Sequence, residues 1–220
     1  LHEWRGNGSS SLRPSRHCDW GYRQILQEDL PAAHRRLLGW MADVPLLIGG
    51  HSLGGQLACC YAGLHPTAFE RIWLVASGTP WWRSFPAPRR YALPAAYRFL
   101  PWLARRHGTL PGRRIGFGGT EARGLITDWA RVGLTDRYAA AGLPQDLEAA
   151  MRALDLPVEA VLFEDDWLAP PGSLKALTSR MRGPTGMHIL PARSLGTRAD
   201  HFSWMKQPAA VAASLCGSPP

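Results

Sequence analysis

Lysine is almost missing. It occurs only at 175 and 206, so nearly all of the basic charge is arginine. Cysteine is sparse too: Cys18, Cys59, Cys60 and Cys216 fit no zinc-binding spacing. Cys59 and Cys60 adjoin within a helical stretch, so they read as small core residues in a reducing, cytoplasmic compartment rather than as disulfide partners. There is no run of about 18 apolar residues, and no membrane span is expected. No secretory signal pattern opens the chain, which begins with Leu1 rather than Met. Gly116-Phe117-Gly118-Gly119 lacks the following Lys-Ser/Thr and a preceding strand, which excludes a phosphate loop. No basic-aromatic motif accompanies the net charge of +8. The arginines read as scattered along a chain rich in alanine, proline and glycine, so no nucleic-acid partner is expected. No metal or cofactor is implied either.

What is present organises around one stretch, Leu46-Leu47-Ile48-Gly49-Gly50-His51-Ser52-Leu53-Gly54-Gly55-Gln56-Leu57-Ala58. The apolar run from Val44 to Ile48 predicts a buried strand. Leu57, Ala58, Tyr61 and Leu64 then recur at helical spacing. Strand, sharp turn and helix thus carry Ser52 on the turn, between Gly50 and Gly54. A turn that tight strains the serine backbone and demands nearly no side chain two residues before and two after. The helix that follows turns its N-terminal N–H groups toward the hydroxyl.

The 220 residues, 45% of them apolar, suit one domain or one domain with an insertion. Residues 1–10 read as a strand end entering a glycine-rich loop, where Arg5 is expected to pack. Trp20 to Met41 has helical periodicity interrupted by Pro31. Arg71 to Gly78 is a second strand. Residues 79–154 are rich in aromatics and proline. They predict a mostly helical insertion, a lid with an aromatic inner surface, with a strand only at Arg114 to Phe117. The sheet resumes at Pro157 to Phe163, followed by a helix from Ser173 to Met181, a strand from Met187 to Leu190 and a closing helix from Pro208 to Leu215. Strands alternating with helices predict an α/β fold with a mostly parallel sheet and flanking helices. Three parts are expected: 1–78 and 155–220 as core, 79–154 as lid. The final Gly-Ser-Pro-Pro is expected to fray.

Gly50-His51-Ser52-Leu53-Gly54-Gly55 resembles the nucleophile turn of the α/β-hydrolase fold family. Asp166 stands four residues before Pro170 and His201 seven before Pro208, offsets similar to those of the family's acid and histidine. Glu3-Trp4-Arg5-Gly6-Asn7-Gly8-Ser9-Ser10 resembles its Asp-x-Arg-Gly-x-Gly-x-Ser loop. More narrowly, Cys18 to Tyr22, Asp128-Trp129-Ala130, Asp165 to Pro170 and His201 to Trp204 resemble a bacterial group of predicted serine hydrolases without an assigned substrate. The family's early strands, and a loop that supplies one of two oxyanion N–H donors, have no counterpart here. The chain is therefore expected to be shortened or a fragment.

The resemblance implies a Ser52 nucleophile, His201 as base, Asp166 as its orienting acid and the Leu53 N–H as an oxyanion donor. Asp165 is the rival acid. Asp200 is expected to cap the histidine loop, and His51 to point its ring away. The implied reaction is hydrolysis of a carboxylic ester or thioester with a small apolar acyl part. Acyl transfer on the same triad, or a truncated non-catalytic binding protein, are the alternatives.

Overall fold

The computed structural model describes residues 2–41, 44–115 and 118–217. Leu1, residues 42 and 43, Gly116-Phe117 (with the end of the expected 114–117 strand) and Ser218-Pro219-Pro220 lie outside the described residues. The elements run α1 (Tyr22–Gln24), a π-helical stretch (Ile25–Asp29), α2 (Leu30–Trp40), β1 (Leu47–His51), α3 (Leu53–Leu64), β2 (Arg71–Val75), α4 (Arg89–His107), β3 (Leu110–Pro111), β4 (Thr120–Glu121), α5 (Arg123–Thr135), α6 (Leu147–Ala153), β5 (Val158–Phe163), α7 (Pro171–Thr178), β6 (Thr185–Leu190), α8 (Ala192–Leu195) and α9 (Ala209–Leu215). Among the described residues no helix is long and apolar enough to cross a membrane.

The residues cluster into two compact units. One comprises Leu1–Val44, Pro80–Arg83 and Ala87–Asp146, the other Pro45–Thr79, Ser84–Pro86 and Leu147–Pro220. These boundaries are drawn differently from the three-part division above, because residues 1–44 group with the helical segment.

The second unit holds a four-stranded, wholly parallel sheet in the order β1-β2-β5-β6. Strand β5 is central and buried at Val158, Ala160, Val161, Leu162 and Phe163, an apolar run broken only by half-buried Glu159. Helix α3 packs on β1, β2 and α6 and is buried from Gly55 to Gly63. The first strand differs from expectation. It begins at Leu47 rather than Val44 and runs through the glycines to His51, because the register pairs Leu47 with Arg71 and His51 with Val75. As an edge strand among the described residues it is not buried; Leu47 is 44% exposed. Helix α7 spans Pro171–Thr178, a little earlier than the expected Ser173 to Met181.

In the first unit Pro31 explains a local irregularity. Proline has no N–H to donate and its ring crowds the carbonyl a turn earlier. The preceding turn widens, and Leu30 N–H donates to Ile25 O, five residues back. Arg5 packs as expected, donating from Nε and Nη2 to Asp29 and from Nη2 to Glu28 at 2.7 Å. Helices α4 and α5 pack against each other. Ala104, Leu110 and Ile126 form their core with Leu100 and Leu103. The Tyr97 ring meets Trp129 edge-on at 4.9 Å, and its hydroxyl donates to the Pro80 carbonyl. Buried Asp128 accepts from Tyr22 N–H at 2.8 Å and from Arg131 at 2.9 Å. Burial pushes its carboxyl up, against the pull of these donors.

Three local expectations for this unit are corrected. Residues 2–4 form no strand end. Gly112–Ile115 is a 3₁₀ turn rather than the start of a strand. The aromatics do not share one inner surface: Tyr97 and Tyr138 are buried, whereas Tyr91, Phe99 and Trp102 stand exposed on α4.

Candidate active site

Strand β1 ends and α3 begins at Ser52, whose backbone is held at φ 54° and ψ −123°. A non-glycine residue there stores roughly 1–3 kcal/mol of strain, which the surroundings must hold in place. They do so from three sides. Ser52 N–H donates to Val75 O at 2.9 Å, the Ser77 hydroxyl donates to Ser52 O at 2.7 Å, and Gly55 N–H donates to the same carbonyl at 3.1 Å. The glycine requirement is only partly the one the spacing predicts. A Cβ on Gly50 would lie 2.3 Å from the Gly54 carbonyl carbon, and one on Gly55 2.4 Å from Ser77 Oγ. A Cβ on Gly54 would meet nothing within 4 Å. The second crowded position is therefore Gly55, pressed by Ser77, a residue the sequence marks with no motif. The Leu53 N–H opens α3 and by helix geometry has no intrahelical acceptor.

His201 and Asp166 come from two loops on the carboxyl side of β5 and β6. His201 Nε2 lies 2.8 Å from Ser52 Oγ, and its Nδ1 lies 2.8 Å from Asp166 Oδ2. Both residues are 6% exposed. The other carboxylate oxygen, Oδ1, accepts from Leu168 N–H at 2.8 Å and Ala169 N–H at 3.3 Å, so a buried charge there is solvated by backbone. Asp165, the rival acid, is exposed, and its N–H is tied to Ala199 O. Asp200 caps the histidine loop. Its Oδ1 accepts from Phe202 and Ser203 N–H, and its Oδ2 from the Ser203 hydroxyl and Arg198. Partial burial pulls that carboxyl up, but these donors outweigh it and hold it well below the usual carboxylate range.

His51 departs from expectation. Its ring does not turn away from the site. It packs on the His201 ring at a centroid distance of 4.7 Å, and its Nε2–H donates to the His201 carbonyl at 2.9 Å. Phe202 and Trp204 flank it at 5.9 and 5.6 Å, and Trp204 in turn stacks on Phe163. Burial first, and then the neighbouring His201, push the His51 imidazole down to about 4, so the ring is neutral and makes this bond as its Nε2–H tautomer. Sequence spacing misses this contact because its partner lies 150 residues away. Among the described residues no cluster of His, Cys, Asp and Glu is arranged to hold a metal ion.

The comparisons agree with this geometry at the level of fold. Among solved structures, a thermophilic esterase from Thermogutta terrifontis superposes with a TM-score of 0.57 at 19% identity, over 98% of this chain and 76% of that one. BpoC of Mycobacterium tuberculosis, described as a non-heme bromoperoxidase, gives 0.57 at 17% identity, over 97% and 77%. A monoacylglycerol lipase of Paleococcus ferrophilus gives 0.56 at 13% identity, over 98% and 82%. No curated protein matches the sequence. The family model described as the alpha/beta hydrolase fold matches residues 2–192. That match spans most of the sequence, and the chain belongs to the α/β-hydrolase fold family.

Proposed function

We propose that this chain is a serine hydrolase that cleaves a carboxylic ester or thioester with an apolar acyl part, through an acyl-enzyme on Ser52. The observation that carries the reading is the unbroken run of two 2.8 Å contacts, Ser52 Oγ to His201 Nε2 and His201 Nδ1 to Asp166 Oδ2. A free serine hydroxyl is a weak nucleophile until a base takes its proton. His201 Nε2 accepts that proton as Oγ bonds to the carbonyl carbon. Asp166, ionised, holds the Nδ1–H tautomer and stabilises the imidazolium that forms. The oxyanion is met by the Leu53 N–H and the positive end of α3. His201 returns the proton to the departing alcohol or thiol. Water then attacks the acyl-serine with the same base, releasing the acid and restoring the hydroxyl. His51 acts through His201 by pinning its carbonyl. Fold neighbours titled as an esterase and a monoacylglycerol lipase support the ester class.

The test is turnover of short-chain p-nitrophenyl esters. The wild-type chain releases nitrophenol above the buffer rate, and Ser52→Ala returns it to that rate. Equal rates for the two proteins would overturn the proposal.

A further inference from the structure

Counted together with the acids, the arginines are not scattered. Between Glu70 and Glu121 there are nine arginines and no Asp or Glu, so the rest of a chain of net charge +8 sums to about −1. The longest helix of the described residues, α4, lies inside this segment. Its 19 residues carry Arg89, Arg90, Arg98, Arg105 and Arg106.

The helix is two-sided in an unusual sense. Tyr97, Pro101 and Ala104 are buried. The opposite arc, at steps of four, four and three, carries Tyr91, Ala95, Phe99 and Trp102, all exposed. Tyr91 is 65%, Phe99 52% and Trp102 51% exposed, and the Phe99 and Trp102 rings lie 5.5 Å apart. Arg98, Arg105 and Arg106 are exposed along the same arc and form no ion pair among the described residues. The Arg90 guanidinium lies over the Tyr91 ring at 5.1 Å. A face turned to water alone gains nothing from three large rings. A row of rings flanked by unpaired arginines matches the boundary between acyl chains and anionic headgroups. Double-stranded nucleic acid would answer the charge but not the row of rings between the arginines, and a single strand that could stack on them is separated by the oligothymidylate arm of the test.

We propose that the exposed face of α4 docks this protein on an anionic lipid bilayer, with Tyr91, Phe99 and Trp102 at the acyl–headgroup boundary and Arg98, Arg105 and Arg106 on lipid phosphates. This surface is independent of the Ser52 chemistry and stands or falls separately from it.

The experiment is sedimentation with vesicles at low salt. Wild type partitions onto vesicles of equal parts phosphatidylglycerol and phosphatidylcholine, and not onto phosphatidylcholine alone. Each arginine is worth about fivefold in partition, so Arg98→Ser/Arg105→Ser/Arg106→Ser weakens binding about a hundredfold. Phe99→Ser/Trp102→Ser keeps the charge and still weakens binding at least about tenfold. All five substituted residues are on the surface, so unchanged circular dichroism melting checks the fold of each variant. Failure of wild type to bind the mixed vesicles overturns the proposal. So does binding that the aromatic pair leaves intact, or tighter binding to an oligothymidylate than to the vesicles, which identifies a general polyanion surface instead.

Discussion

The two glycines flanking Ser52 in the motif are predicted to respond in opposite directions to the same change. Gly50→Ala puts a methyl 2.3 Å from the Gly54 carbonyl carbon and 2.6 Å from Gly54 O and Gly55 N. All three are backbone atoms of the turn and the first turn of α3, so no rotamer relieves the clash. Overpacking against backbone costs about 3 kcal/mol or more, at the upper end of such substitutions. Gly54 has no positive φ, lies in the first turn of α3, and its added methyl meets nothing within 4 Å. There alanine gains about 0.5–1 kcal/mol over glycine, from helix propensity and from the smaller entropy of the unfolded chain. For a chain of this size 1 kcal/mol moves the melting temperature by about 2–4 °C. Calorimetric scans should therefore show Gly54→Ala melting at or a few degrees above wild type, and Gly50→Ala melting well below it. A Gly54→Ala protein destabilised as much as Gly50→Ala would refute the steric account of the turn.

His51 is neutral in the folded protein down to about pH 4, whereas the unfolded chain takes up that proton near the ordinary imidazole value of 6.5. A depressed folded value means full stability above the unfolded value and loss as pH falls toward the folded one. With His201 and Asp166 facing it, this group accounts for about 3 kcal/mol of lost stability between pH 6.5 and 4. Denaturant titrations should show His51→Gln, which keeps an N–H donor, with a shallower acid slope than wild type; parallel slopes would contradict the assignment. Asp166→Asn keeps the shape of the acid but favours the wrong imidazole tautomer. It is expected to lower kcat by about 10⁴ with little change in KM, and a loss confined to KM would count against the orienting role.

The parallel sheet was readable because short apolar runs alternate with helical periodicity, a pattern carried by local residues such as Val158 to Phe163; the order of its strands was not. Three candidate site residues stood out: Ser52 by its glycines between strand and helix, Asp166 and His201 only through the family resemblance carried by their offsets from Pro170 and Pro208. What the sequence hid depends on distant partners or on facing. The register of β1 is set by pairing with β2, and Leu47-Ile48-Gly49-Gly50-His51 has no apolar alternation to reveal it. The orientation of His51 is set by a carbonyl 150 residues away. Ser77 braces the turn from the end of β2, with no pattern in its neighbours to mark it. An aromatic count cannot separate Tyr97, pressed against Trp129, from Phe99, two positions on and facing outward.

The most direct measurement is to treat the folded chain with a fluorophosphonate and map the adduct by mass spectrometry. The account predicts modification at Ser52, abolished in Ser52→Ala and strongly slowed in His201→Ala. No adduct on Ser52, or labelling that proceeds at the wild-type rate without the His201 imidazole, would contradict it.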